Sequence, residues 1–395
     1  MIRTLNLLND CCLVLLVFSV TFEKWDPFQL VGTVSVTFIT TILYLATWVP
    51  LIGRNFQFAP FKRFVAPLIL MLVVGFVCSA LNSEYVTELR YAYEYRTLLL
   101  IVLMTFIAAH LYHKPKTLPI ILNSYIASML VVFYLVSTGN GVTYEHGRLL
   151  LFGENPNVMG AKAALAFLIA ISGLINKFSF TRLIVIGAIC IPFVGLVATS
   201  GSRGAFVSMF LGLAVLLYFR RTSVLNKWIL IIVAAFGSTL LITYLLETNP
   251  LMADRLLETV EDGDTGRNVL WDAAFDIIKD NLIIGAGFEG VIPKMYQYSG
   301  IYLVPHNIFL YVFIAAGLPG IILFMIFLFR LAKMLFVHFK ATGESLNLVL
   351  FVIVIFNMSK QGGSIRKILF WFFFAVLIGS TAHVISYVKQ KKLAQ

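Results

Sequence analysis

Twelve apolar runs, most of them near the length that crosses a bilayer, leave this chain few folds to choose from. A transmembrane helix needs about 20 mostly apolar residues to span roughly 30 Å of hydrocarbon. The runs fall at residues 7–22, 28–52, 64–81, 97–112, 118–137, 158–175, 183–199, 204–219, 228–246, 318–337, 345–360 and 367–388. They recur along all 395 residues, so the apolar surface is not one anchor attached to a water-soluble body. Only 12% of the residues are charged, against roughly 25% in a typical soluble domain, which excludes an ordinary soluble enzyme. The expectation is an all-α polytopic membrane protein of about 12 transmembrane helices, one integral membrane domain over 1–395. The first run contains Asp10 and no small-residue cleavage site follows it, so it reads as a retained helix and not as a removed signal peptide.

The net charge of +11 would suggest nucleic acid in a soluble protein. Here its distribution matters more. With the N-terminus inside, 17 of the Lys and Arg residues fall in cytoplasmic segments and 8 in short external loops, the latter being Lys24, Arg90, Arg96, Arg148, Arg203, Lys360, Arg366 and Lys367. Short loops carry the positive-inside signal, so both termini are expected in the cytoplasm. The basic balance is mostly topological, and nucleic acid is not expected as a partner. The four cysteines, Cys11, Cys12, Cys78 and Cys190, show neither a disulfide framework nor zinc spacing.

Residues 247–305 form the one sizeable extramembrane segment, placed outside by this topology between the ninth and tenth spans. Asn249 before Pro250 reads as a helix start, with Leu251–Val260 of helical composition. A second helix begins near Arg267, where Asn268, Asp272, Asp276 and Asp280 recur every four positions between apolar residues, the pattern of an amphipathic helix. From Pro305 the apolar run is too long for one span. Gly317, Leu318, Pro319 and Gly320 divide it into a short external helix, His306–Ala316, and the tenth span.

Charge near a membrane span is costly, which makes each external cation a candidate for function. Arg203 lies in the tight reversal Ser200-Gly201-Ser202-Arg203-Gly204 and must sit at or just inside the outer rim, either as an interfacial anchor or as a ligand. Arg267 opens the amphipathic helix, where a cation opposes the helix dipole, so a local stability argument would not choose it. A bound anion would, although a surface pairing with Asp264 is the competing reading. His306 has a side chain that accepts a proton near neutral pH, a property of a general base, and Asn307 beside it could orient the ring or touch substrate. Arg148 precedes Gly153-Glu154-Asn155-Pro156-Asn157, a turn and helix cap, and Lys162 lies about one turn into the sixth span. Glu261, Asp262 and Asp264 offer a rival divalent-cation site, read instead as a solvated acidic turn, so no metal or cofactor is expected.

Taken in order, RLLLFGENPN at Arg148–Asn157, GSRGAF at Gly201–Phe206, TGRNVLWDAAFDIIKDNLIIGAGFEGV at Thr265–Val291 and PHNIFLYVFIAAGLPG at Pro305–Gly320 resemble the O-antigen ligase and polymerase family of bacterial membrane glycosyltransferases. The resemblance implies a GT-C-like bundle in the bacterial inner membrane with a periplasmic active site. It implies that Arg203 and Arg267 bind the pyrophosphate of an undecaprenyl-pyrophosphate-linked glycan donor, and that His306 is the catalytic base. Arg148, Asn157, Lys162 and Asn307 join as substrate-binding candidates; Glu154 and Glu289 are set aside as variable positions. The acceptor would be lipid A-core for a ligase or another glycan for a polymerase. Departing pyrophosphate needs charge compensation, which planar guanidinium forks provide bidentately without metal. A lipid-linked glycan flippase or other polysaccharide transporter is the alternative from a different class.

Overall fold

The computed structural model describes residues 2–28, 34–145, 148–176, 179–220 and 267–393, with positions 225, 228, 232, 243 and 247. Eleven of the twelve apolar runs coincide with helices, and the run 228–246 lies outside the described residues apart from positions 228, 232 and 243. Helix Leu251–Val260 and the acidic turn Glu261–Asp264 also lie outside them. The chain is an all-α polytopic membrane protein: among the described residues, seven helices are long and apolar enough to cross a membrane, and four shorter apolar ones accompany them.

Packing groups these helices into two compact units. The first takes the described residues of 1–56, 113–261 and 338–357. It contains α1 (Ile2–Ser19), α2 (Val36–Trp48), α3 (Thr117–Thr138), α4 (Pro156–Asn176), α5 (Phe180–Thr199), α6 (Arg203–Phe219) and α7 (Leu346–Met358). The intramembrane polar groups of α1 are paired, as burial in hydrocarbon requires. Asn9 donates to the Thr47 hydroxyl at 2.8 Å, and Asp10 accepts from the Lys114 ammonium at 2.6 Å. Between α3 and α4 the chain forms an antiparallel hairpin, Val142–Glu145 with Arg148–Leu151, which the apolar pattern does not announce because each strand has only four residues.

The second unit takes 57–112, the described residues of 262–337, and 358–395. Its helices are α8 (Lys62–Leu81), α9 (Tyr95–His113), α10 (Asn268–Asp280), α11 (Val291–Ser299), α12 (Ile308–Thr342, which runs on into the first unit) and α13 (Ile368–Leu393). At the start of α13, Leu369 to Leu377 are apolar and buried on every face, which marks a central helix. Helix α10 is amphipathic as expected, burying Leu270, Ala273, Ala274, Ile277 and Ile278.

The expected break in the long apolar run is a kink at Gly317, whose φ of 61° and ψ of −166° suit glycine. The carbonyls of Ile314 and Ala315 accept from the amides of Ala286 at 2.7 Å and Gly287 at 2.9 Å, while Leu318 donates to the Leu282 carbonyl. The segment 282–287 thus satisfies backbone that the kink releases, and the two are held together.

Candidate active site

In the first unit, the GSRG reversal ends α5 and starts α6. The Ser202 hydroxyl accepts from the Ala205 amide at 3.3 Å as a helix cap, and Arg203 follows as the first helical residue, half-buried. The flanking glycines do different things. Gly201 takes a φ of 56°, whereas a Cβ on Gly204 would meet nothing within 4 Å, so there is open space beside Arg203.

Arg148, at the start of the second strand, reaches this turn. Its guanidinium donates to the Asn157 side-chain oxygen at 2.9 Å and to the Ser200 carbonyl at 3.2 Å. Asn155 accepts from the Asn157 amide at 2.9 Å with Pro156 opening α4, the expected turn and cap. The hairpin and the start of α4, which follow each other in sequence, therefore meet the turn that opens α6, about 50 residues further on.

Lys162 is not at the rim. It is 1% exposed, and its ammonium donates to the Glu154 carboxylate and to the Thr21 carbonyl at 3.2 Å. Glu154, set aside in the sequence, is 4% exposed and is the partner that makes a buried lysine tolerable. A signal was available: an acid and a base eight residues apart in a chain this poor in charge.

In the second unit, Arg267 is the N-cap residue of α10, one position before the first helical turn. One turn later, Trp271 donates its indole N–H to the Pro305 carbonyl at 3.0 Å, which ties α10 to the segment carrying His306. His306 is half-buried and holds a φ of 50°, an uncommon conformation for a side-chain-bearing residue that costs on the order of 1–3 kcal/mol. Burial, and then the Arg267 guanidinium, hold its imidazole pKa below the ordinary value. Asn307 serves as a cap: its side-chain oxygen accepts from the amides of Phe309 at 2.9 Å and Leu310 at 3.4 Å.

The sequence reading missed the loop that closes this cluster. Lys360 places its ammonium 5.1 Å from the centre of the Trp271 ring, and burial followed by Arg267 lowers its pKa. Gly362 lies flat against the His306 imidazole, since a Cβ there would stand 2.7 Å from Nδ1. The loop is fixed by Arg366, whose Nε donates to Glu94 at 2.8 Å and whose Nη2 does so at 2.5 Å, and by Trp371, which donates to the Ile365 carbonyl at 2.7 Å. Lys360 followed by Gln361, Gly362 and Gly363 resembles GSRG in placing a cation beside glycine between two spans. Pairing of residues 94 and 366 across the chain had no local signature.

Among the described residues no group of His, Cys, Asp and Glu is placed to hold a metal ion. The second unit offers an imidazole whose pKa is lowered by burial and Arg267, with Lys360 over the Trp271 ring. A family model described as O-antigen ligase matches residues 188–325, about a third of the chain, covering the Arg203, Arg267 and His306 motifs. No curated protein matches. Members of the matched family are glycosyltransferase-like enzymes, and over residues 188–325 this chain is similar to the O-antigen ligase family.

Proposed function

We propose that the protein transfers a glycan from undecaprenyl pyrophosphate to an acceptor hydroxyl on the periplasmic side of the bacterial inner membrane, inverting the anomeric centre without a metal ion. The observation that carries this reading is the cluster of Arg267, Lys360 and His306 around Trp271, where burial and a neighbouring cation favour the neutral imidazole. A neutral imidazole is the form that accepts a proton. Gly362 covers the Nδ1 edge, so the reading assigns proton acceptance to Nε2.

In this reaction His306 takes the proton of the acceptor hydroxyl as its oxygen attacks the sugar C1. The C1–O bond to phosphate breaks on the opposite face, and its electron pair leaves with the pyrophosphate. Arg267 binds that leaving group, the family resemblance gives Arg203 the same role, and guanidinium forks supply the charge compensation that a divalent cation supplies elsewhere. Lys360 joins them. Arg148 and Asn157 hold the turn that presents Arg203, supported by the hydrogen bonds between them and to Ser200. Lys162 acts through Glu154, and Asn307 acts by capping the helix that follows His306. The acceptor is lipid A-core in a ligase and a second lipid-linked glycan in a polymerase.

The test is purified protein with lipid-linked glycan and each candidate acceptor, in EDTA. Product with inverted linkage is expected. Loss of product on chelation would revive the acidic turn at residues 261–264, and movement of the donor across the membrane without bond formation would favour transport.

A further inference from the structure

At the end of the second unit opposite the His306 cluster, two helices far apart in sequence bring three cations to one cavity. The first turn of α8 contributes Arg63. Helix α12 contributes Arg330, Lys333, Met334 and Val337, whose spacing of 0, 3, 4 and 7 puts them on one helical stripe. These five residues line an open cavity of about 470 Å³. Arg330 donates through Nη1 to the Arg63 carbonyl at 2.7 Å. The Arg63 guanidinium approaches the Met334 sulfur at 3.0 Å and lies 4.7 Å from the centre of the Phe64 ring.

The three side chains are exposed, and among the described residues none of them makes an ion pair with a carboxylate. Like charges gathered at one cavity repel unless an anion sits among them. An orientation signal alone needs cations on the right side of the membrane, not cations from two helices around one pocket. The walls supply the second half of the match. Met334 and Val337 are apolar, Val337 is 46% exposed, and Phe336 beside it is 44% exposed. A charged mouth bordered by exposed apolar surface fits a molecule with an anionic head and hydrocarbon tails, and basic pockets between transmembrane helices on the cytoplasmic side bind such headgroups.

We propose that Arg63, Arg330 and Lys333 form a binding site for the headgroup of an anionic phospholipid, with its acyl chains lying against Val337 and Phe336. The site is independent of the glycan-transfer reading and keeps its meaning if that reading fails.

The experiment titrates detergent-purified protein with phosphatidylglycerol, cardiolipin, phosphatidylcholine and inorganic phosphate, counting bound lipid by native mass spectrometry. The wild type should retain the two anionic lipids and release phosphatidylcholine. Arg330→Gln and Lys333→Gln should each weaken retention about fivefold, and Arg63→Gln, Arg330→Gln and Lys333→Gln together about 100-fold. A control carrying Lys116→Gln, Arg182→Gln and Lys340→Gln removes the same charge elsewhere and should bind as the wild type does. Equal loss in the control, or equal retention of phosphatidylcholine, would overturn the proposal. Displacement of the lipid by millimolar inorganic phosphate would do so as well, by assigning the cavity to a soluble anion. Monodispersity and unfolding temperature of each variant separate lost binding from lost folding.

Discussion

The cluster around the GSRG turn and the cluster around Trp271 use their cations in different ways. Around the GSRG turn Arg148 donates to the Asn157 side-chain oxygen and the Ser200 carbonyl, and the Lys162 charge is neutralised by Glu154. Around Trp271 the cations lie near one another, and Arg267 depresses both His306 and Lys360. The first arrangement builds a rigid turn that presents Arg203. The second keeps a base neutral beside positive charge. The first cluster spends its cations on protein oxygens that shape a turn, whereas in the second Arg267 acts on the protonation of its neighbours.

The largest expected effect breaks the second cluster. His306→Ala should lower transfer about 10²- to 10⁴-fold, the range for loss of a general base, with the unfolding temperature near that of the wild type. Glu154→Gln should do the reverse in kind. It leaves a buried ammonium uncompensated and should destabilise the fold by about 3–5 kcal/mol, read from thermal unfolding. The double variant Glu154→Gln with Lys162→Met should recover most of that loss. A single variant as stable as the wild type would erase the distinction between the clusters.

Lys360→Gln is a smaller change, expected to lower transfer about tenfold, or roughly 1.4 kcal/mol of barrier. The pH dependence sharpens the same point. His306 is a base only when neutral, and its depressed pKa keeps it neutral below its ordinary value of about 6.5, so the acid limb of the rate should lie under that pH. Arg267→Gln removes one of the two depressing influences and should move the limb of the residual activity upward. A limb that stays in place would mean that the two groups are not coupled. The smallest effect is Gly204→Ala, where the new methyl meets nothing within 4 Å. Stability should change by less than about 0.5 kcal/mol; reduced transfer with intact stability would show that substrate uses the space beside Arg203.

The spans were legible because hydrocarbon imposes length and apolarity on every helix that crosses it. The kink at Gly317 was legible too, since one run exceeded a bilayer and carried its own breakers. The hairpin was hidden by brevity. Arg203, Arg267 and His306 stood out because charge is rare in this chain and each lies in a motif. Glu154 was in plain view, but its importance comes from burial, which spacing does not reveal. Lys360 and Gly362 belong to the site through contacts with residues 271 and 306, and the loop is anchored by a pairing 272 residues apart. No local pattern encodes such a contact.

The most direct measurement compares transfer of a lipid-linked glycan by purified wild type, His306→Ala, Arg267→Ala and the Glu154→Gln with Lys162→Met pair, all in EDTA. Product from the wild type and the charge-neutral pair, with transfer lowered at least about 100-fold in His306→Ala and strongly lowered in Arg267→Ala, is the predicted result. Undiminished product from His306→Ala would contradict the assignment of the second cluster as the catalytic centre.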